Sequence, residues 1–307
     1  MHIAIIGTGG IGGPLGASLL KAGIDVTLVA RGAHLAAMRE NGLRVKGDRG
    51  ENFVRPIQVT DNFGDIGTVD FALVCVKSWD VEPVGERIRA IVGPQTAVIP
   101  LQNGVDSAQR LIPILGHEPV MGGVAFVTGT IIAPGVIQQT GTHQRITFGE
   151  LDGRISERGQ QLHDLCESAG FEGVLSPNIM VPVWEKFVRL VPFSGLCALT
   201  RLPAGKWRED SDVFALCDAA LRETVAVGLA EGVDLPSPII GDTLAQLRSS
   251  PPHMMASMGH DLIRGNRLEL PWLGGKVIEL GRRHSIPTPA NAFIYAALKP
   301  YINGSPA

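Results

Sequence analysis

Met1-His2-Ile3-Ala4-Ile5-Ile6-Gly7-Thr8-Gly9-Gly10-Ile11-Gly12 is the stretch whose reading decides the fold. Residues 2–6 are apolar enough for a buried strand, and residues 11–22 carry the apolar spacing of a helix closed by Gly23. Residues 25–30 then read as a second strand. The glycines at 7, 9 and 12 therefore fall between a strand and a helix, the context that a G-x-G-x-x-G dinucleotide fingerprint requires. The first glycine permits the tight turn and the second lets backbone approach a pyrophosphate. The third brings helix and strand together, and the helix N-terminus attracts the phosphate charge. Gly7, Thr8, Gly9, Gly10, Ile11 and Gly12 are accordingly candidate cofactor-binding residues.

The same alternation continues. Residues 71–76 are continuously apolar, 81–92 have helical spacing, and 96–100 form another apolar run leading into Gln102-Asn103-Gly104. Parallel strands need helical crossovers to return the chain, so this order predicts a doubly wound Rossmann sheet. Between about 120 and 148 short β-rich pieces with turn residues suggest antiparallel strands appended to that sheet, followed by a helix and a strand at 171–175. After Ser176-Pro177 the strand pattern stops, and helical periodicity covers 179–200, 213–231, 238–247 and 273–283. The expected fold is α/β, with a Rossmann domain at 1–176 and an all-helical domain at 177–307. Residues 303–307 read as a loose tail, and no internal repeat is evident.

A net charge of -3 with 19% charged residues leaves no basic excess to hold nucleic acid or an anionic membrane surface. No apolar run approaches the roughly 18 residues of a membrane span. The chain lacks a signal-peptide pattern at its start, so a cytoplasmic location is expected. Cys75, Cys166, Cys197 and Cys217 have no metal or redox spacing and are expected to be buried thiols; no metal site is expected.

At the end of the second strand, where an acidic residue would bind the ribose 2′-hydroxyl of NAD, the chain has Arg31. A guanidinium pairs bidentately with a 2′-phosphate, so Arg31 points to NADP(H). Lys77, directly after residues 71–76, puts an ammonium at the carboxyl edge of the sheet and is a further candidate for phosphate or ribose. In the helical part, Lys186 has apolar neighbours at Val183, Phe187 and Leu190. Two accounts of this lysine are open: a stem covering apolar surface with its head in water, or a functional ammonium.

Together these blocks resemble the ketopantoate reductase (2-dehydropantoate 2-reductase) family over nearly the whole chain. The resemblance is carried by the Gly7 to Gly12 fingerprint with Arg31, by Lys77, and by Gln102-Asn103-Gly104-Val105. Trp184-Glu185-Lys186, Ser257 with Asp261 and Glu269, and Ile286-Pro287-Thr288-Pro289 complete it in the same order. It implies that Lys186 is the general acid, that Asn103 positions it while also serving the cofactor site, and that Glu269 contacts the reacting hydroxyl. Ser257, Asp261 and Ser194 are then substrate-side residues. The implied reaction is NADPH-dependent reduction of a small 2-oxo acid, with ketopantoate to pantoate, in pantothenate and coenzyme A biosynthesis, as the leading instance. One departure stands out: the best-known members carry asparagines where this chain has Leu190 and Ser194. A different 2-oxo acid is therefore an open alternative, as is a non-catalytic NADP-binding regulator. The expected partner is the small-molecule substrate, with a homodimer left open.

Overall fold

The computed structural model describes residues 1–48, 50–55, 57–141 and 143–306. These residues pack into two compact units, one of Met1–Gln102 with Asp106–Ile179 and one of Asn103–Val105 with Met180–Ala307. The strands, in chain order, are β1 (His2–Ile6), β2 (Asp25–Val29), β3 (Leu43–Gly47), β4 (Gly50–Val54), β5 (Gln58–Thr60), β6 (Val69–Val74), β7 (Val92–Pro100), β8 (Gly122–Phe126), β9 (Gly129–Ala133), β10 (Val136–Gln139), β11 (Arg145–Gly149) and β12 (Glu172–Leu175). All lie in the first unit.

The central sheet has the order β5-β2-β1-β6-β7, parallel throughout. Its strands β1, β2 and β6 carry apolar residues on both faces because both are covered, whereas the edge strand β5 is partly exposed. Ile3, Ile5, Leu28, Phe71, Leu73 and Ile99 face Leu15 and Leu19 of the helix Gly12–Lys21. The alternate residues Ala4, Ile6, Val29, Ala72, Val74 and Val98 pack with Val81, Ile88 and Leu111. The reversal of order at β1 and β6 puts the glycine loop at the topological switch point, where ligands of such sheets bind.

The expectation for residues 120–148 needs correction. The antiparallel strands are not appended to the parallel sheet; they build two separate sheets, β4-β3-β10-β9 and β12-β11-β8. The missing piece is the β3–β4 hairpin, whose register Leu43↔Val54 to Gly47↔Gly50 gives β10 a partner in β3. An isolated bridge, Val98↔Val120, joins this region to β7. The helix expected at 81–92 stops earlier, spanning Val81–Ile88 before a tight turn and the start of β7. Pro94 disfavours helical backbone at Gly93, so the chain extends there.

The second unit is helical, with no strand among its described residues. Helix Met180–Thr200 packs on helix Ser211–Ala230 so closely that a Cβ on Gly228 would lie 2.8 Å from Cε3 of Trp184. Trp184 meets Phe187 edge-to-face, centroids 5.3 Å apart. Three helices escape periodicity: Ala204–Trp207, Ser257–Ile263 and Pro289–Leu298. The last begins with proline at its first position, as helices favour. Its free N–H groups are capped from afar, since Glu223 accepts from the amides of Ala290 (2.7 Å) and Asn291 (2.9 Å). Cys166, Cys197 and Cys217 are buried and Cys75 is partly exposed; burial holds the Cys166 and Cys217 thiols at about 12. No described helix is long and apolar enough to cross a membrane, and the described residues hold no metal-binding cluster.

Glu150, after β11, is only 4% exposed and accepts two hydrogen bonds from Arg158, each 2.7 Å long. Arg158 also donates to the carbonyls of Thr96 and Glu118, so the pair stitches β7 to the three-stranded sheet. Burial pushes the Glu150 carboxyl up, but hydrogen bonds from Arg158 and Ser156 with the charges of Arg158 and Arg154 outweigh it and hold it below the usual range. The native carboxyl thus binds its proton more weakly than the unfolded one. Its stabilisation is present above the usual carboxylate pKa and is lost as pH falls through the lowered value. Glu150→Gln should cost about 3 kcal/mol in urea denaturation at neutral pH and flatten the acid limb of the stability profile. An unchanged acid limb would show that the pair does not govern it.

Candidate active site

The glycine loop of the first unit has the shape of a nucleotide cradle. Gly7 turns the chain with φ +100°, a backbone conformation that side chains rarely adopt, and its N–H donates to the Val29 carbonyl at 3.0 Å. A Cβ on Gly12 would lie 2.3 Å from the Gly7 carbonyl oxygen and 2.7 Å from Cγ2 of Ile5, so helix and strand meet there without room for a methyl group. A Cβ on Gly9 would meet nothing within 4 Å. The loop is therefore closed beneath and open above, which suits a pyrophosphate over the N-terminus of the helix. Thr8 is buried and its hydroxyl donates to the Val29 carbonyl at 3.1 Å.

Two side chains near this loop, His34 and Gln102, have roles that the sequence reading did not assign. His34 accepts from the Gly135 amide at Nδ1 (3.0 Å), so its proton sits on Nε2 and is donated to the Thr8 carbonyl (2.8 Å). Burial lowers its pKa, with the Thr8 contact opposing, and the imidazole stays neutral. Its partner Gly135 lies 101 residues on, beyond any local pattern. Gln102 is buried, and its Nε2 donates to the carbonyls of Val74 (2.7 Å) and Val76 (3.2 Å), tying the end of β6 to the end of β7. Lys77 directly follows Val76, and its Nζ lies 5.7 Å from the centre of the Trp79 ring. Arg31 is 83% exposed and pairs with Asp80 at 3.1 Å.

In the second unit, Lys186 stands mid-helix between buried Val183 and Phe187 and donates to Oδ1 of Asn103 at 2.8 Å. Asn103 is held in a turn where Gly104 has φ +120° and a Cβ on that glycine would lie 3.3 Å from the Trp272 carbonyl. Desolvation pushes the Lys186 ammonium down while the charge of buried Glu269 pulls it up, and the two together leave it at about 8. The structure thus joins Lys186 and Asn103 by a hydrogen bond and couples them electrostatically to Glu269. Ser257 is exposed at the first position of helix Ser257–Ile263, with Asp261 one turn on, its carboxylate accepting from Asn266 Nδ2 at 3.1 Å. Ser194 is 1% exposed and its hydroxyl donates back to the Val191 carbonyl at 3.2 Å. A cavity of about 390 Å³ lined by Ser18, Lys21, Asn52 and Gln144 lies at the far end of helix Gly12–Lys21 from the glycine loop.

A half-buried ammonium near 8, held by an amide and faced by a carboxylate, can give a proton to a developing oxyanion at neutral pH. Residues 3–153 match the family described as Ketopantoate reductase PanE/ApbA, and residues 178–302 match its C-terminal family. The chain belongs to the ketopantoate reductase family. Members of this family are oxidoreductases, and the non-catalytic alternative is set aside on that ground. A 2-dehydropantoate 2-reductase of Mesorhizobium japonicum is 30% identical over 320 residues, covering 97% of each chain. The crystal structure of a PanE/ApbA family ketopantoate reductase from Ralstonia eutropha JMP134 superposes with a TM-score of 0.91 at 28% identity, covering 98% of both chains. D-mandelate dehydrogenase, solved with NADH and anilino(oxo)acetate, shares the fold with a TM-score of 0.90 at 20% identity over 98% of both chains.

Removing the Glu269 charge should let desolvation act on Lys186 unopposed. Glu269→Gln is expected to drop the lysine below its value of about 8, read by NMR titration of the Nζ-adjacent methylene group. A titration that stays at the wild-type position would separate the two residues.

Proposed function

We propose that the protein reduces a small 2-oxo acid to the 2-hydroxy acid with NADPH, with ketopantoate to pantoate, a step in pantothenate biosynthesis, as the leading instance. The reading rests on one observation above others, the desolvated Lys186 ammonium bonded to Asn103. In it, residues 1–176 bind NADP(H) and residues 177–307 carry substrate and catalysis, in the cytoplasm. The loop from Gly7 to Gly12 would hold the pyrophosphate, Arg31 the 2′-phosphate, and Lys77 with Asn103 the neighbouring part of the nucleotide. When bound, the nicotinamide would supply a hydride to the carbonyl carbon. Lys186 would give its proton to the carbonyl oxygen as negative charge builds there, so the hydroxyl forms without a free alkoxide. Asn103 would fix the direction of the ammonium. Glu269 would keep the lysine protonated and accept a hydrogen bond from the new hydroxyl. Ser257 and Asp261 would orient the rest of the substrate.

A second reading, reduction of a different 2-oxo acid, has its own support. Leu190 offers no hydrogen bond, and the Ser194 hydroxyl is buried and already engaged with its own helix. The two positions therefore present less polar surface than asparagines would. The D-mandelate dehydrogenase structure shows that this fold accommodates anilino(oxo)acetate in that protein. NADPH oxidation followed against a panel of 2-oxo acids tests both readings, and no turnover with any of them would sink both.

Lys186→Ala should lower kcat at least about a hundredfold, since it removes the acid and the charge facing the oxyanion. NADPH affinity should be retained. In the wild type, kcat should fall as pH rises through about 8, because only the protonated lysine is an acid. Near-normal kcat in the variant, with only a lower Tm, would instead mark the lysine as a packing residue. Leu190→Asn should raise kcat/KM for ketopantoate by up to roughly tenfold, the scale of one regained hydrogen bond. A folded variant with lower activity would mean that Leu190 packs on an apolar part of the substrate.

A further inference from the structure

Asp80 occupies the N-cap position of helix Val81–Ile88, where aspartate normally accepts a hydrogen bond from its own helix. It makes no such bond. Its carboxylate instead meets Arg31 at 3.1 Å, from 49 residues further along the chain. Arg31 is 83% exposed and the Asp80 side chain 23%, so as a stabilising contact the pair is worth little, and the forgone cap is not repaid in stability. The turn that aims Asp80 is itself fixed, since its amide donates to the Lys77 carbonyl at 2.9 Å. Lys77 and Arg31 are the two cations expected around the nucleotide, and Asp80 is the acid beside them.

We propose that Asp80 is a specificity-determining residue that sets how strongly this protein prefers NADPH over NADH. The inference rests on reading Arg31 as the 2′-phosphate partner. Folds selecting NAD place a carboxylate at the end of the second strand to accept from the ribose 2′-hydroxyl. Here that place in sequence holds Arg31, and the tertiary structure returns a carboxylate to it from the loop after β6. A 2′-phosphate bidentate on Arg31 must share the guanidinium with Asp80 and sits near its negative charge, so NADPH binding is weakened. A 2′-hydroxyl has no charge to be repelled and finds an acceptor in Asp80, so NADH binding is favoured. The two effects narrow the gap between the cofactors from both sides.

The test is Kd for NADPH and for NADH, by nucleotide fluorescence, on the full chain as wild type, Asp80→Asn, Asp80→Ser and Arg31→Ala, each with a melting curve. Asp80→Asn and Asp80→Ser should each raise the ratio of NADH Kd to NADPH Kd by roughly tenfold, the scale expected when a like charge within about 6 Å is removed in partly solvated surroundings. Arg31→Ala should collapse the ratio. If the aspartate variants leave the ratio unchanged or lower it while Arg31→Ala collapses it, Asp80 is not the determinant and the Arg31 reading stands. If Arg31→Ala also leaves the ratio unchanged, the phosphate reading itself fails and the proposal with it.

Discussion

An ammonium removed from water must be given other partners, and much of the second unit serves that requirement at Lys186. Its helix neighbours Val183, Trp184 and Phe187 are buried, so the face carries the lysine into apolar surroundings that favour the neutral amine. The charge of Glu269 opposes that pressure, and the balance lies at about 8, while Asn103 Oδ1 accepts a hydrogen bond from the ammonium. Fuller burial without Glu269 would leave a neutral amine with no proton to give. Full solvation would remove the desolvation that lowers the lysine's pKa. The helix supplies desolvation, the turn at Gly104 supplies direction, and the segment before Leu270–Trp272 supplies charge.

The first unit answers a different constraint, the close approach of helix and strand at the glycine loop. Its glycine loop is tight where helix and strand touch, at Gly12, and open where a ligand would lie, at Gly9. Surrounding side chains hold the backbone in that form: Thr8 by its hydroxyl, and His34 by bridging Thr8 to Gly135 as a neutral imidazole. Gln102 does comparable work at the other edge of the site, bonding β6 carbonyls immediately before Asn103 enters the second unit. One chain segment thus carries a structural glutamine for one unit and the partner of Lys186 for the other.

Four strands of the parallel sheet, all but the short edge strand β5, and the long helices of the second unit were legible because their burial is strongly patterned. The strands β1, β2 and β6 carry apolar residues on both faces, unlike the edge strand β5, and each long helix repeats its apolar face every turn. The β3–β4 hairpin was not legible. Leu43-Arg44-Val45-Lys46-Gly47 and Gly50-Glu51-Asn52-Phe53-Val54 hold only four apolar side chains, and the second partner of β3 is β10, nearly a hundred residues later. Helix Pro289–Leu298 was missed for a related reason, since its cap is supplied by Glu223 rather than by a neighbour in sequence.

For the site, the sequence alone determined which chemical groups are available: the three fingerprint glycines, Arg31, Lys77, Asn103, Lys186 and Glu269. Spacing sufficed for the glycines because a turn is a local object, fixed by φ and by contacts within a few residues. Only the tertiary structure decided what the charged groups meet. It engaged Ser194 with its own helix, set Lys186 near 8, and brought Asp80 to Arg31. Charge interactions depend on distance and on the surrounding dielectric, and neither is a property of sequence separation. Residues 49 and 83 positions apart became partners because the folded chain placed them within 3.1 and 2.8 Å.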